Sequence, residues 1–191
     1  MKILQLRQRA ISHEITDKSS SNAVDISGGK IFKAVIKGNT KSTLTSTGEK
    51  NAIFDFSEVY GSIKANTIKG IYGTYTESID NTRLIDVADK DEVSLGKASI
   101  YTVINGNEIE EFEINIIRIN KDTTTKNILF EITDERLIAE TNGVIKGMSG
   151  SPIVQNNKIV GAVTHAIVND NNKGYGIFIT TMLEEGENKE A

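Results

Sequence analysis

Hydrophobic residues recur at every second position over several short runs of this chain, and Gly, Asn, Ser and Thr separate the runs. Phe112, Ile114 and Ile116, with Arg118 in phase, share one face of the run from Ile109 to Ile119. Glu113, Asn115 and Ile117 share the other face, as a half-buried strand requires. Ile128, Phe130 and Ile132 stand in phase within a strand from Lys126 to Thr133. The run from Ala98 to Ile104 reads as the hairpin partner of 109–119, with Asn105-Gly106 supplying a tight turn. Lys30 to Lys37 alternates in part through Ile31, Phe32, Val35 and Ile36 and ends at the turn signal Gly38-Asn39, and Gly61 to Tyr75 carries Ile63, Ile68, Ile71 and Tyr72 among Gly and Thr. One short helix is predicted over Asp134 to Thr141, opening on an N-cap residue and stopping at Asn142-Gly143. Three segments carry little pattern: Lys18 to Gly29, the Thr- and Ser-rich stretch Asn39 to Lys50, and the charged stretch Glu184 to Ala191, read as a frayed tail.

With 191 residues and no repeat or linker, the chain reads as one domain over 1–183 followed by a disordered tail at 184–191. A net charge of −4 offers no basic footprint for nucleic acid. The absence of cysteine excludes disulfides, thiolate catalysis and zinc–thiolate sites. No stretch is apolar for long enough to span a bilayer. Met1 to Arg9 has charge but no apolar core, so it does not read as a signal peptide.

The chemistry concentrates at Gly147-Met148-Ser149-Gly150-Ser151-Pro152, which leads into Ile153-Val154, a turn at Gln155-Asn156-Asn157, and the run Lys158 to His165. This is the shape of a nucleophile loop feeding a β-hairpin, as in trypsin-like serine peptidases. A glycine two residues before the serine lets the loop turn so that the amides of Gly147 and Ser149 point into one pocket and hold an oxyanion. The same residues also suit a plain tight loop between strands. A serine alkoxide needs a base, and only His13 and His165 are available. His13 gives the order His, Asp, Ser of chymotrypsin-like enzymes, whereas His165 sits where the following strand lines the substrate cleft. Either histidine also suits a structural role. Asp17, Asp25, Asp55 and Asp134 are all possible orienting acids by type, and Asp134 equally suits a helix N-cap. Asn169 to Gly174 faintly resembles a calcium loop but lacks the later bidentate Glu, which favours a hairpin turn.

Gly147 to His165, continuing through Val168-Asn169-Asp170 and Gly174-Tyr175-Gly176-Ile177-Phe178-Ile179, resembles the stage IV sporulation protein B peptidase family. Phe112 to Ile119 and Ile132 to Leu137 also resemble family segments, and the likeness runs from about Ile11 to Leu183. The resemblance implies a mostly β, trypsin-like double barrel, with the first barrel the incomplete one and a short helix before the nucleophile loop. It implies Ser149 as nucleophile, His13 as base within His13-Glu14-Ile15-Thr16-Asp17, and Asp134 as acid within Thr133-Asp134-Glu135-Arg136-Leu137. Gly147 and Ser149 then form the oxyanion hole, Thr164 and His165 line the cleft, and no metal or cofactor is needed. The implied reaction is endopeptidase cleavage of a membrane-associated regulatory protein in sporulation signalling, in the space between the membranes of the developing spore.

The chain departs from the family pattern in three ways. Glu14 replaces the glycine that follows the family histidine, and a nearby carboxylate would raise the pKa of His13. Only twelve residues precede His13, where the family carries a further strand pair rich in Gly and aromatics. The family's upstream export segment and PDZ domain have no counterpart. These departures fit a truncated or divergent gene product or a mis-called start, and they motivate a competing expectation of a catalytically inactive β module that binds rather than cleaves. Asp134 also lies only fifteen residues before Ser149, whereas chymotrypsin-like acids lie far upstream: either the family wires its acid differently, or Asp134 caps the helix and another acid, Asp17 the best substitute, orients His13.

Overall fold

A computed structural model describes residues 3–5, 27–78 and 84–190. The fold centres on a closed barrel formed by β8 (Gly96–Thr102), β9 (Glu110–Ile119), β10 (Ile128–Ile132), β11 (Pro152–Gln155), β12 (Lys158–Ala166) and β13 (Lys173–Phe178). These strands pair in the order β12-β11-β8-β9-β10-β13, and β13 returns to β12, so the sheet closes on itself with six antiparallel neighbours. Closure removes the exposed edges that an open sheet of these hydrophobic strands would present. The alternation in the sequence fills the interior: Phe112, Ile114, Ile116, Ile128, Phe130 and Ile132 are all buried there.

The N-terminal half is less regular. Among the described residues it contains a three-stranded sheet, β2 (Lys30–Ile31), β5 (Gly61–Thr67) and β6 (Gly70–Tyr75), and a hairpin of β3 (Lys33–Thr40) with β4 (Glu49–Asp55). The short strand β1 (Ile3–Gln5) pairs with β7 (Leu84–Val87), and β7 lies parallel to β12. The expectation of a mostly β, trypsin-like fold therefore stands: among the described residues one closed barrel is accompanied by smaller sheets.

Three local expectations change. Asn105-Gly106 does not make a two-residue turn, because Thr102 already pairs with Glu110 and the connection spans 103–109. Its tip crosses instead to the other half, where Ile36 and Gly106 exchange both backbone hydrogen bonds at 2.7 and 2.8 Å. Gly38-Asn39 does not end its strand either; a bulge leaves Lys37 as the extra residue, Gly38 pairs with Asn51, and the ladder continues to Thr40. The stretch expected to fray is part of a second helix, α2 (Ile179–Glu190), which follows α1 (Glu135–Thr141). Ile179 and Met182 are buried and Leu183 packs on the Val154–Ile159 cluster, an i, i+3, i+4 stripe that docks the helix on the barrel. On its far side Lys69 pairs with Glu185 at 2.9 Å, and the Tyr72 ring lies against Gly186, so α2 also reaches the three-stranded sheet.

The barrel corner where β12 meets β13 depends on glycine. A methyl group at Gly161 would strike the Ile177 carbonyl oxygen and lie 2.9 Å from Ile128 Cδ1, and one at Gly176 would lie 2.6 Å from Ile153 Cδ1. Gly161→Ala is therefore expected to lower stability by about 1–3 kcal/mol in urea unfolding at unchanged m, because backbone rather than a flexible side chain must yield.

Candidate active site

The loop between α1 and β11 is anchored by buried Val144, Ile145, Met148 and Ser151, and Met148 stands at the centre of its final turn. Met148 is 0% exposed and anchors in the barrel core, so the residues on either side of it are turned outward. Gly147 sits at φ +91° and Gly150 at φ +85°, conformations that L side chains rarely adopt. Met148 N–H donates to Ile145 O at 3.2 Å and Ser151 N–H to Met148 O at 2.9 Å, closing two tight turns. Gly150 N–H donates to Val163 O and Val163 N–H to Ser151 O, both at 2.9 Å, which pins the far side of the loop to β12. No acceptor among the described residues takes the Gly147 N–H.

Ser149 is half-buried, and its Oγ donates to the Thr164 carbonyl at 2.9 Å. That carbonyl is available because the β12–β13 register shifts between Val163 and His165, a bulge that turns Thr164 out of step with the ladder. Thr164 Oγ1 in turn donates to Tyr175 O at 2.9 Å, which holds the bulge. A cleft of about 200 Å³ opens in front of Ser149, lined by Thr47, Val144, Lys146, Thr164 and His165 among others. The structure thus brings together Ser149, Thr164 and His165, with Gly147 in the adjoining turn.

Asp134 is not among the residues lining that cleft. It is the N-cap of α1: its carboxylate accepts from the amides of Arg136 at 3.0 Å and Leu137 at 3.4 Å. It also accepts from Glu113 N–H at 3.4 Å and forms an ion pair with Arg136 at 2.9 Å. Arg136 is further held by the Glu111 carbonyl at 2.8 Å and lies over the Phe112 ring at 4.9 Å. The Arg136 guanidinium, helped by the Glu113, Arg136 and Leu137 amides, holds the carboxyl below the usual carboxylate range against the opposing effect of burial. His13, Glu14 and Asp17 lie outside the described residues. The turn over residues 167–173 is closed by Asp170 and Lys173, which pair at 2.6 Å.

The stretch Asn39 to Lys50, patternless as sequence, packs beside the cleft and contributes Thr47 to its lining. Ser42 is buried: its N–H donates to Thr141 O at 2.9 Å, and its carbonyl accepts from Asn142 Nδ2 at 2.8 Å. Gly48 N–H donates to Ser42 Oγ at 3.0 Å. Lys146 N–H donates to Gly48 O at 2.8 Å and Lys50 N–H to Lys146 O at 3.0 Å, joining the N-terminal hairpin to the nucleophile loop as a short ladder. Small hydroxyl residues and a glycine permit this backbone-to-backbone contact, and they carry no hydrophobic period that would announce it.

Residues 4–183 match the family model described as SpoIVB peptidase S55. None of the curated proteins matches the chain.

Asp134→Ala is expected to cost about 1 kcal/mol through loss of the cap, while Asp134→Asn, which caps equally well, costs less. The charge-dependent part of the Asp134 contribution has a definite sign. Its folded pKa is depressed, so that part is present above the ordinary carboxylate pKa and is lost as pH falls through the lower folded value. Urea titrations of wild type and Asp134→Asn at about pH 7 and about pH 2 should show the gap between them closing at the acid end.

Proposed function

The chain belongs to the SpoIVB peptidase S55 family, and we propose that it is an active serine endopeptidase working through an acyl-enzyme. Ser149 Oγ attacks the scissile carbonyl carbon while His13 accepts its proton. The negative charge that develops on the carbonyl oxygen is held by the amides of Gly147 and Ser149. His13 then returns the proton to the leaving amine, and water releases the acyl group by the reverse path. Asp134 orients the imidazole, and Thr164 and His165 bind the substrate backbone along β12. The observation that carries this reading is the turn about Met148: a buried anchor flanked by an outward serine and a positive-φ glycine whose N–H is not taken up within the described fold. The family implies a protein substrate. A membrane-associated regulatory protein of sporulation, met in the space between the membranes of the developing spore, is the substrate and setting we propose. No helix among the described residues is long and apolar enough to cross a membrane.

The alternative, a β module that binds without cleaving, draws on the resting contact of Ser149 with the Thr164 carbonyl and on the engagement of the Asp134 carboxylate by Arg136. A fluorophosphonate probe separates the two. Labelling of the wild type that is abolished in Ser149→Ala and in His13→Ala supports the enzyme, and folded protein that does not label at all supports the binding module. Asp134→Asn distinguishes the two roles of that carboxylate. If Asp134 orients the base, turnover should fall by up to ~10⁴ with little change in stability, since asparagine keeps the cap but loses the charge. Labelling at the wild-type rate would leave Asp134 a cap alone and direct attention to Asp17.

A further inference from the structure

Lys50 is the second residue of β4, opposite Asn39 of β3, and its side chain runs against the nucleophile loop at Gly147. A methyl group on Gly147 would lie 3.1–3.2 Å from Lys50 Cβ, Cγ and Cδ, so the aliphatic stem supports the glycine turn from below. The ammonium continues inward and donates to Thr102 Oγ1 at 2.7 Å. Thr102 and Ser151 are both 0% exposed, and Ser151 Oγ donates to the same Thr102 oxygen at 3.0 Å. A surface lysine ordinarily lays its stem on apolar surface and lifts its head into water. Lys50 does the opposite: the residue keeps some exposure, but its charged end is bonded to a hydroxyl that has none.

Among the described residues no ion pair neutralises this ammonium. The ammonium donates to Thr102 of β8, whose oxygen also accepts from the Ser151 hydroxyl; along the backbone Lys50 stands opposite Asn39 of β3, whose side chain donates to Glu140 of α1, and its N–H donates to Lys146 O, with Glu49 in a backbone β-bridge to Lys146. No carboxylate pairs with Lys50 among the described residues. Burial alone pushes its pKa from 10.5 down to about 7. A desolvated cation without a counter-ion destabilises the fold, and such groups cluster where a reaction uses the field they create.

We propose that Lys50 is a positioning residue of the Ser149 reaction, its stem holding the Gly147 turn and its ammonium placing positive charge beneath the amides that receive the oxyanion. This rests on the proposal that Ser149 is the nucleophile. The neutral amine can still donate to Thr102, so deprotonation removes the charge without dismantling the contact. The charge is present below about pH 7 and is lost above it. Across the interval from about 7 to 10.5 the unfolded chain binds the proton and the folded chain does not. Stability should therefore rise with pH over the interval in which reactivity falls.

The test is the pH profile of fluorophosphonate labelling for wild type, Lys50→Met and Lys50→Arg. The wild type should lose reactivity as pH rises past about 7, superimposed on the rising limb of the base. Lys50→Met should label roughly 10- to 100-fold more slowly at about pH 6.5, below the ~10²–10³ expected for a direct oxyanion donor, and should lack the falling limb. The loss should appear in the inactivation rate constant and not in the affinity for the probe. Lys50→Arg, charged throughout, should restore most of the rate and also lack the falling limb. NMR of the wild type gives a readout that does not depend on activity: the Lys50 Cε signal should titrate near 7, and the Gly147 amide should move with the same midpoint. Labelling of Lys50→Met at the wild-type rate across the pH range, with a Gly147 amide that does not titrate, overturns the inference and leaves Ser149 as nucleophile intact. Failure of the wild type to label overturns the nucleophile and the role of Lys50 together.

Discussion

The paired hydrogen bonds between Val163 and the nucleophile loop are the constraint on which the cleft depends. Gly150 N–H and Ser151 O are both engaged by Val163, so the loop rides on β12 as if it were a further turn of the barrel. β12 is itself held by three neighbours, β11, β13 and β7. A strand fixed on both edges cannot tilt to accommodate a loop, and the loop must conform to it. The bulge at Thr164 is the one place where β12 departs from its ladder, and there its carbonyl meets the serine hydroxyl. Barrel closure, loop shape and the resting position of Ser149 are therefore one chain of contacts.

The second half of the cleft is built differently. Its wall is a hairpin from the N-terminal half, joined to the loop by main-chain bonds at Gly48, Lys50 and Lys146, and tied again at a distance by the Ile36–Gly106 pair. The α2 helix joins the barrel to the separate three-stranded sheet, where Lys69 and Tyr72 meet Glu185 and Gly186. These joints use backbone, a largely buried ion pair and one ring contact. The Lys69–Glu185 pair ties α2 to the three-stranded sheet and not to the hairpin, so the backbone ladder carries the alignment between the wall and the loop.

What the amino-acid sequence discloses follows the range of the interactions. β9, β10 and α1 are written in local patterns: alternating Phe112, Ile114 and Ile116, alternating Ile128, Phe130 and Ile132, and an Asp134 cap with an Asn142-Gly143 stop. Asn142 at φ +52° and Gly143 at φ +118° are the conformations those residue types favour. The nucleophile loop is legible for the same reason, since its glycines, its proline and its buried methionine all act within six residues. Asn105-Gly106 misleads because its partner is Ile36, far away along the chain and with no local trace. The segment from Asn39 to Lys50 is silent because its bonds run to residues some hundred positions on. Lys50 is the extreme case: a lysine in a polar strand looks solvated, and only the tertiary fold turns its head inward. Ile179, Met182 and Leu183 did carry a helical stripe, masked by the acidic run and glycine that follow.

Met148 joins two properties that are usually separable. In many enzymes the nucleophile is carried on a surface turn whose precision can drift without harm to the core, and the core can be repacked without harm to the chemistry. Here the same thioether fills the barrel interior and sets the direction in which Ser149 faces. Methionine is an adaptable filler, tolerant of imperfect shape, so the anchor holds the loop by volume more than by a single rotamer. Divergence inside this barrel is therefore never neutral for the turn above it: sequence drift in the core is transmitted to the aim of the serine, and the two must evolve as one unit.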